Sequence, residues 1–263
     1  MRVDLNADVG ESSGTSIVGD DEGLLRSISS ASVAAGVHAG DPTVLRQTIR
    51  LARELGVAVG AHPGLRDRDG HGRRELSVST SAVEDLVLYQ VAAVAGVAAA
   101  EGVSLQHVKL HGALYNMAAR DRALASAAVR AIAAFDRELI VFGLAGSALV
   151  DAARDAGLVA AGEFFADRGY ERDGTLIPRG QEGALLTDPE LVVTRAIQML
   201  NDGVVAAADG TPLQIAAETI CIHSDTPGAA RLARELRDGL ERAGITVGAP
   251  RAPRGARGAA PSR

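Results

Sequence analysis

His107-Val108-Lys109-Leu110-His111 alternates polar and apolar side chains, and Gly112 follows at once. A period of two marks a strand, and it places His107, Lys109 and His111 on one face. A face carrying a lysine between two histidines must point into an interior that uses charge, because a lone lysine is costly to bury. Lys109 is the single lysine of the chain; every other cationic side chain, histidines aside, is an arginine. One retained lysine points to a compact ammonium that a guanidinium cannot mimic. Its expected role is to meet a substrate carboxylate or a developing oxyanion.

Outward from this stretch, short apolar runs alternate with longer amphipathic ones. Strands are expected over 3–9, 32–37, 57–61, around 108–110, and over 139–144, 159–165 and 219–222, with a further short one over 245–247. Asp41-Pro42 reads as a helix cap and first turn, opening a helix with Leu45, Ile49, Ala52 and Leu55 on one face. A long helix is expected over 81–101. Thr187-Asp188-Pro189-Glu190 reads as a capping box opening another, and Asp225-Thr226-Pro227 opens a last one. Two charged or Gly-containing loops, 63–76 and 167–187, interrupt the pattern.

Strand–helix repetition argues for parallel βα units, which an open doubly wound sheet and a closed barrel both satisfy. The position of the polar residues favours the barrel. Asp8, His38, His62, His111, Asp167 and His223 with Asp225 each follow or end an expected strand. Barrels collect chemistry from many strands at their carboxyl face, whereas an open sheet concentrates it at one switch point. The expected architecture is therefore an irregular (β/α) barrel of about seven parallel strands over residues 1–248, followed by a disordered Pro-, Gly-, Ala- and Arg-rich tail over 249–263.

Composition sets the outer bounds. With 263 residues, 47% hydrophobic and 23% charged, the chain is long enough to bury a full core and is not a disordered type. A net charge of -6 gives no footprint for nucleic acid or an anionic membrane. The start is charged where a secretory signal needs an apolar core, and no apolar stretch reads as a membrane span. One cysteine, Cys221, excludes an internal disulfide and a Cys-rich zinc site, and fits a cytoplasmic setting. Whether the chain forms a homo-oligomer is left open. No P-loop, no dinucleotide-binding glycine motif after a strand and no G-x-S-x-G elbow is present.

The candidate site residues follow from strand ends. Asp8, His62, Lys109, His111 and His223 are the expected catalytic groups. Asn6, Glu11, His38, Asp41, Asn116, Asp167, Arg168 and Asp225 are the expected substrate-binding groups. Carboxylate plus imidazole suits a divalent metal, with Asp8, His62 and His111 as the trio and His38 next. His71, in the charged loop, reads as solvent-exposed, Arg73-Arg74 as a solvated pair, and Cys221 as a small core residue.

These runs resemble the LamB/YcsF family of lactam-utilisation proteins, which supplies the A component of prokaryotic 5-oxoprolinase. The matching segments are Asp4-Leu5-Asn6-Ala7-Asp8-Val9-Gly10-Glu11, Val37-His38-Ala39-Gly40-Asp41-Pro42 and Gly60-Ala61-His62-Pro63-Gly64. Gly72-Arg73-Arg74-Glu75, Val108-Lys109-Leu110-His111-Gly112-Ala113-Leu114-Tyr115-Asn116, Phe165-Ala166-Asp167-Arg168-Gly169-Tyr170 and Ile222-His223-Ser224-Asp225-Thr226-Pro227 complete the set. The resemblance implies a seven-stranded barrel related to metal-dependent carbohydrate deacetylases. It also implies ATP-dependent opening of 5-oxo-L-proline to L-glutamate with partner subunits B and C, ATP being handled through those partners. Where the family has Cys-Gly-Phe-His, Lys-Pro-His and His-Gly-Asp, this chain has Ala35-Gly36-Val37-His38, Lys109-Leu110-His111 and His223-Ser224-Asp225. Two other readings compete: a stand-alone metal-dependent amidohydrolase or deacetylase, and a non-catalytic subunit that binds a small acid.

Overall fold

The computed structural model describes residues 1–14 and 16–251. Seven parallel strands close on themselves: β1 (Arg2–Val9), β2 (Ser30–Ala34), β3 (Ala58–His62), β4 (Leu105–Lys109), β5 (Ile140–Leu144), β6 (Ala160–Phe165) and β9 (Thr219–Ile222). The ring closes because β9 pairs with β6 on one side and with β1 on the other. Between them β7 (Val204–Ala206) and β8 (Pro212–Gln214) form a separate antiparallel hairpin that the sequence pattern does not announce. The last short strand, β10 (Thr246–Val247), extends the start of β1 and takes no part in closure.

Alternation along each strand sorts side chains into two sets. On β1, Val3, Leu5, Ala7 and Val9 join the hydrophobic core, while Asp4, Asn6 and Asp8 are buried polar residues facing the barrel interior. The interior is thus layered. Asp4 accepts from Ser29, Ser30 and Thr219 near the amino ends of the strands. Above it His107 stacks on Phe142, ring centroids 4.2 Å apart, beside Ser32. A methyl group at Gly60 would collide with the His107 ring, so β3 carries a glycine where β4 carries that ring. Burial pushes the His107 imidazole down to about 3, which makes it a neutral filler of the barrel rather than a reacting group.

Among the described residues, eight helices surround the strands: α1 (Asp21–Leu25), α2 (Pro42–Glu54), α3 (Thr80–Ala100), α4 (Gly112–Arg120), α5 (Arg122–Phe135), α6 (Ala148–Asp155), α7 (Pro189–Asp202) and α8 (Ala229–Arg242). Helix α3 is long and apolar enough to cross a membrane by length and mean hydropathy, a test that packed core helices also pass. It packs between α2 and α5 and against β3, with Val83, Val87, Val91 and Val94 buried. Two expected caps are corrected. Asp188, not Thr187, caps α7 by accepting from Glu190 N, and α8 starts at Gly228 with no side-chain cap. At the carboxyl terminus, Arg2 donates to the carbonyl of Ala249 and Gln106 to that of Pro250. Residues 252–263 of the expected tail lie outside the described residues.

Candidate active site

At the carboxyl end of the barrel, Lys109 rises from the end of β4 and is 2% exposed. Its Nζ lies 2.9 Å from Asp8 Oδ1, 2.9 Å from Glu163 Oε1, 3.1 Å from Asn6 Oδ1 and 3.0 Å from Cys221 Sγ. An ammonium has three hydrogens, so four neighbours leave it fully engaged. Burial opposes its charge, but Asp8, Cys221 and Glu163 outweigh burial and hold the ammonium well above the ordinary lysine range. Burial likewise opposes the charge of Asp8, yet His62 and Lys109 hold its carboxyl well below the usual range. This centre is a fixed ion cluster, not a reservoir of protons. Burial pushes the Cys221 thiol up, which agrees with its reading as a core residue.

Asn6 orders the same centre from below. Its Nδ2 donates to Glu163 Oε1 at 2.8 Å and to Thr219 Oγ1 at 2.7 Å, and Tyr115 donates its hydroxyl to Glu163 Oε2 at 2.8 Å. Sequence reasoning alone misses Glu163 and Tyr115. A lone acid inside the apolar run Ala160–Phe165 is the signal that marks Glu163.

Beside this cluster stand four histidines. His62 ends β3, and its Nδ1 lies 2.8 Å from the carbonyl of Lys109. His111 precedes α4, and its Nε2 lies 2.8 Å from the carbonyl of His71. A carbonyl only accepts, so each of those nitrogens carries the proton. The remaining nitrogens, His62 Nε2 and His111 Nδ1, lie 2.9 Å apart, a separation that needs either a proton between them or a metal cation taking both lone pairs. Asp8 Oδ1 is 3.4 Å from the first and Glu11 Oε1 3.3 Å from the second. His38 stacks on His111 with ring centroids 3.8 Å apart, and its Nε2 is 3.5 Å from Glu11 Oε1. Glu11 Oε1 and both His38 nitrogens are buried without a hydrogen bond. Burial, then the neighbouring His38, holds His111 well below the ordinary histidine range.

Converging lone pairs and carboxylate oxygens, buried and unsatisfied, are what a divalent cation requires. Glu11, His38, His62 and His111 offer ligand atoms all within 4.8 Å of one another, so the residues fit such an ion. The geometry sets Glu11 and His38 beside His62 and His111 of the expected trio, while Asp8, its third member, lies 3.4 Å from His62 Nε2 and also groups with Cys221 and His223.

Two glycines make room for the ring cluster. A methyl group at Gly64 would lie 2.6 Å from His38 Nδ1, and one at Gly72 would lie 2.8 Å from His111 Cδ2. His71 is not simply solvent-exposed. Its Nε2 lies 3.2 Å from Glu11 Oε2, and its backbone has φ of 53°, the one non-glycine residue with positive φ among the described residues. Such backbone costs on the order of 1–3 kcal/mol and persists where the surroundings demand it. Here the carbonyl it presents is the one that fixes His111.

His223 follows β9, near Asp8 and Cys221. Its Nδ1 lies 3.1 Å from Asp167 Oδ1, and Asp167 Oδ2 accepts from Thr226 and from the His223 amide. Burial opposes the Asp167 charge, but His223 and these donors bring the carboxyl below its ordinary value. Phe165 stacks on His223. Asp8, His62, Lys109, His111 and His223 all line one cavity of about 620 Å³, with Asn116, Arg73, Arg168 and Arg179.

Two expected substrate contacts also have structural partners. Asp41 caps α2, its Oδ1 accepting from Thr43 and Val44 and its Oδ2 from Gly14. Arg168 is buried with Nε on the carbonyl of Ala184 and Nη2 on that of Ile177, so it braces the loop after β6. Arg73 and Arg74 are each paired, with Asp225 and Asp67 respectively.

Comparison with known proteins gives one answer. The sequence model of the LamB/YcsF family matches residues 3–254. The A component of 5-oxoprolinase from Chloroflexus aggregans is 55% identical over 251 residues, covering 95% of this chain and 100% of the relative. That of Bordetella pertussis is 50% identical over 245 residues, covering 93% and 97%. The crystal structure of the lactam utilization protein from Thermus thermophilus superposes with a TM-score of 0.89 at 46% identity, covering 94% of this chain and 99% of that one. A putative cellobiose-phosphate cleavage protein from Enterococcus faecalis shares the fold alone, at 11% identity and a TM-score of 0.55 over 94% of this chain and 96% of that one.

Proposed function

The chain belongs to the LamB/YcsF family, and from that premise we propose that it is the A component of an ATP-dependent 5-oxoprolinase. That enzyme opens 5-oxo-L-proline to L-glutamate, a hydrolysis of a cyclic amide. Relatives of 50–55% identity over nearly the whole chain are named as this component of 5-oxoprolinase, which supports the reading. The structural observation that carries it is the ion cluster of Asp8, Lys109 and Glu163 set at the cavity beside the buried group of Glu11, His38, His62 and His111.

A lactam is a stable amide and resists water at neutral pH. In the proposed division of labour, partner subunits B and C transfer the γ-phosphoryl group of ATP to the lactam oxygen, releasing ADP, and this barrel receives the activated ring. Water adds to the ring carbon, the carbon–nitrogen bond breaks with the nitrogen taking a proton, and a second water splits the resulting γ-glutamyl phosphate into L-glutamate and inorganic phosphate. His223 is the proposed proton donor. Asp167 holds its Nδ1 and fixes the ring, and His223 faces the cavity. Asp8 and His62 orient the water. Lys109 keeps Asp8 ionised and aimed, so it is a positioning residue more than a direct ligand for substrate. Glu11, His38, His62 and His111 would hold a divalent ion; when bound, such an ion supplies Lewis-acid polarisation.

The test is glutamate release from 5-oxoproline by the purified chain, alone and with its B and C partners, with and without ATP. Release only with partners and ATP is the expected result. Release by the chain alone, without ATP but dependent on added metal, would replace this reading with a stand-alone amidohydrolase. No release under any condition would remove the substrate.

A further inference from the structure

Two arginines reach the cavity from different loops and meet on one carboxylate. Arg73 lies in the loop after β3, Arg179 in the loop after β6, and Asp225 follows β9. Arg73 Nη2 donates to Asp225 Oδ2 at 2.6 Å, while Arg179 donates from Nη1 to Oδ2 and from Nη2 to Oδ1, both at 3.1 Å. All three side chains are only partly buried, and both guanidiniums line the cavity. Each guanidinium has five N–H donors, so Arg73 and Arg179 keep most of theirs free of Asp225. Two cations on one anion leave a positive excess at this wall.

The floor has the opposite balance. Asp8 and Glu163 share a single cation, Lys109, whose hydrogens are already engaged. A small acid entering the cavity therefore finds no free ammonium hydrogen on Lys109 and meets its free donors at the arginine wall. We propose that Arg73 and Arg179 form an oxyanion subsite for the carboxylate of the substrate, with Asp225 holding the two guanidiniums in place and being displaced from them in part when that carboxylate arrives. The inference rests on the 5-oxoprolinase reading: 5-oxoproline has one ring amide and one carboxylate, and this polarity turns the amide toward Asp8, His62 and His223. Forked guanidinium–carboxylate pairing supplies the geometry.

The experiment is calorimetric titration of the full-length chain with 5-oxoproline, with 2-pyrrolidinone (the same ring without the carboxylate) and with inorganic phosphate. Wild type is compared with Arg73→Gln, Arg179→Gln and Asp225→Asn, each checked for an unchanged melting temperature. Both arginine variants are expected to weaken 5-oxoproline about tenfold or more while leaving 2-pyrrolidinone unchanged. Asp225→Asn removes a competing anion and is expected to tighten 5-oxoproline. Arginine variants that bind like wild type, or an Asp225→Asn chain that weakens as they do, would reduce the trio to a structural strap and overturn the proposal. Loss of phosphate binding with 5-oxoproline binding intact would assign the pair to a phosphoryl group and overturn the carboxylate assignment. A wild-type chain that binds neither lactam would sink the functional reading, and the inference with it.

Discussion

His62 Nε2 and His111 Nδ1 face each other at 2.9 Å, and each ring has its other nitrogen on a backbone carbonyl. That distance requires either a proton held between the two nitrogens or a metal cation that takes both lone pairs. Burial disfavours a proton on His111. A divalent ion is the better solution, and the nitrogen-rich set suits Zn²⁺. Added Zn²⁺ at a hundredfold over its Kd is expected to stabilise the chain by about 2.7 kcal/mol, or roughly 5–10 °C in melting temperature. His111→Ala should abolish that shift and the metal retained after dialysis. Equal retention by wild type and His111→Ala would show that the ion, if any, sits elsewhere.

Lys109 neutralises two buried carboxylates, and its removal strands both. Lys109→Met is therefore expected to abolish glutamate release and also to destabilise the chain by about 3–5 kcal/mol. Adding Glu163→Gln removes one of the stranded charges and should return part of that stability, without returning activity. Urea denaturation of the two single variants and the double variant measures the coupling. Strictly additive losses would mean that the 2.9 Å contact between Lys109 and Glu163 carries no net interaction.

Much of this centre was legible because strand ends in a barrel point at one place. Asp8, His62, His111 and His223 fall together in the cavity for that reason. Residue type alone does not show that Asp41 caps a helix or that Arg168, at the cavity, also braces a loop. His38 is reached differently from the expectation: β2 stops at Ala34, and a loop carries His38 to the site. Helices α4, α5 and α6 left little trace in the pattern. In α5, Ala125, Ala127, Ala128 and Ala131 are buried, and alanine contrasts weakly with polar neighbours, so the helical period is faint. Arg179 sits in an irregular loop, where neither periodicity nor a strand end points to it.

Gly60 and His107 test the packing beneath the site. A methyl group at Gly60 meets the His107 ring, and that ring has Phe142 against its face and Ser32 at its edge. It has nowhere to retreat. Gly60→Ala should cost about 1–3 kcal/mol, the usual penalty for overfilling a core. His107→Ser in the same background should restore part of the loss. A Gly60→Ala chain with wild-type melting temperature would show that the barrel interior yields more easily than its close contacts imply.

Glu101 makes a pH-dependent link far from the cavity. It ends α3 and accepts from Arg50 and Arg46 of α2, while Arg53 donates to its carbonyl. Arg50 and Arg46 draw its carboxyl down from 4.5 to about 2, burial opposing them. A depressed carboxylate stabilises the fold above the unfolded value and loses that contribution as pH falls toward the folded one. The chain should therefore lose this tie between about pH 4.5 and pH 2. Glu101→Gln is expected to melt below wild type at pH 7, with the gap closing as pH falls through that window. A gap that persists unchanged into acid would assign the difference to packing of the side chain rather than to its charge.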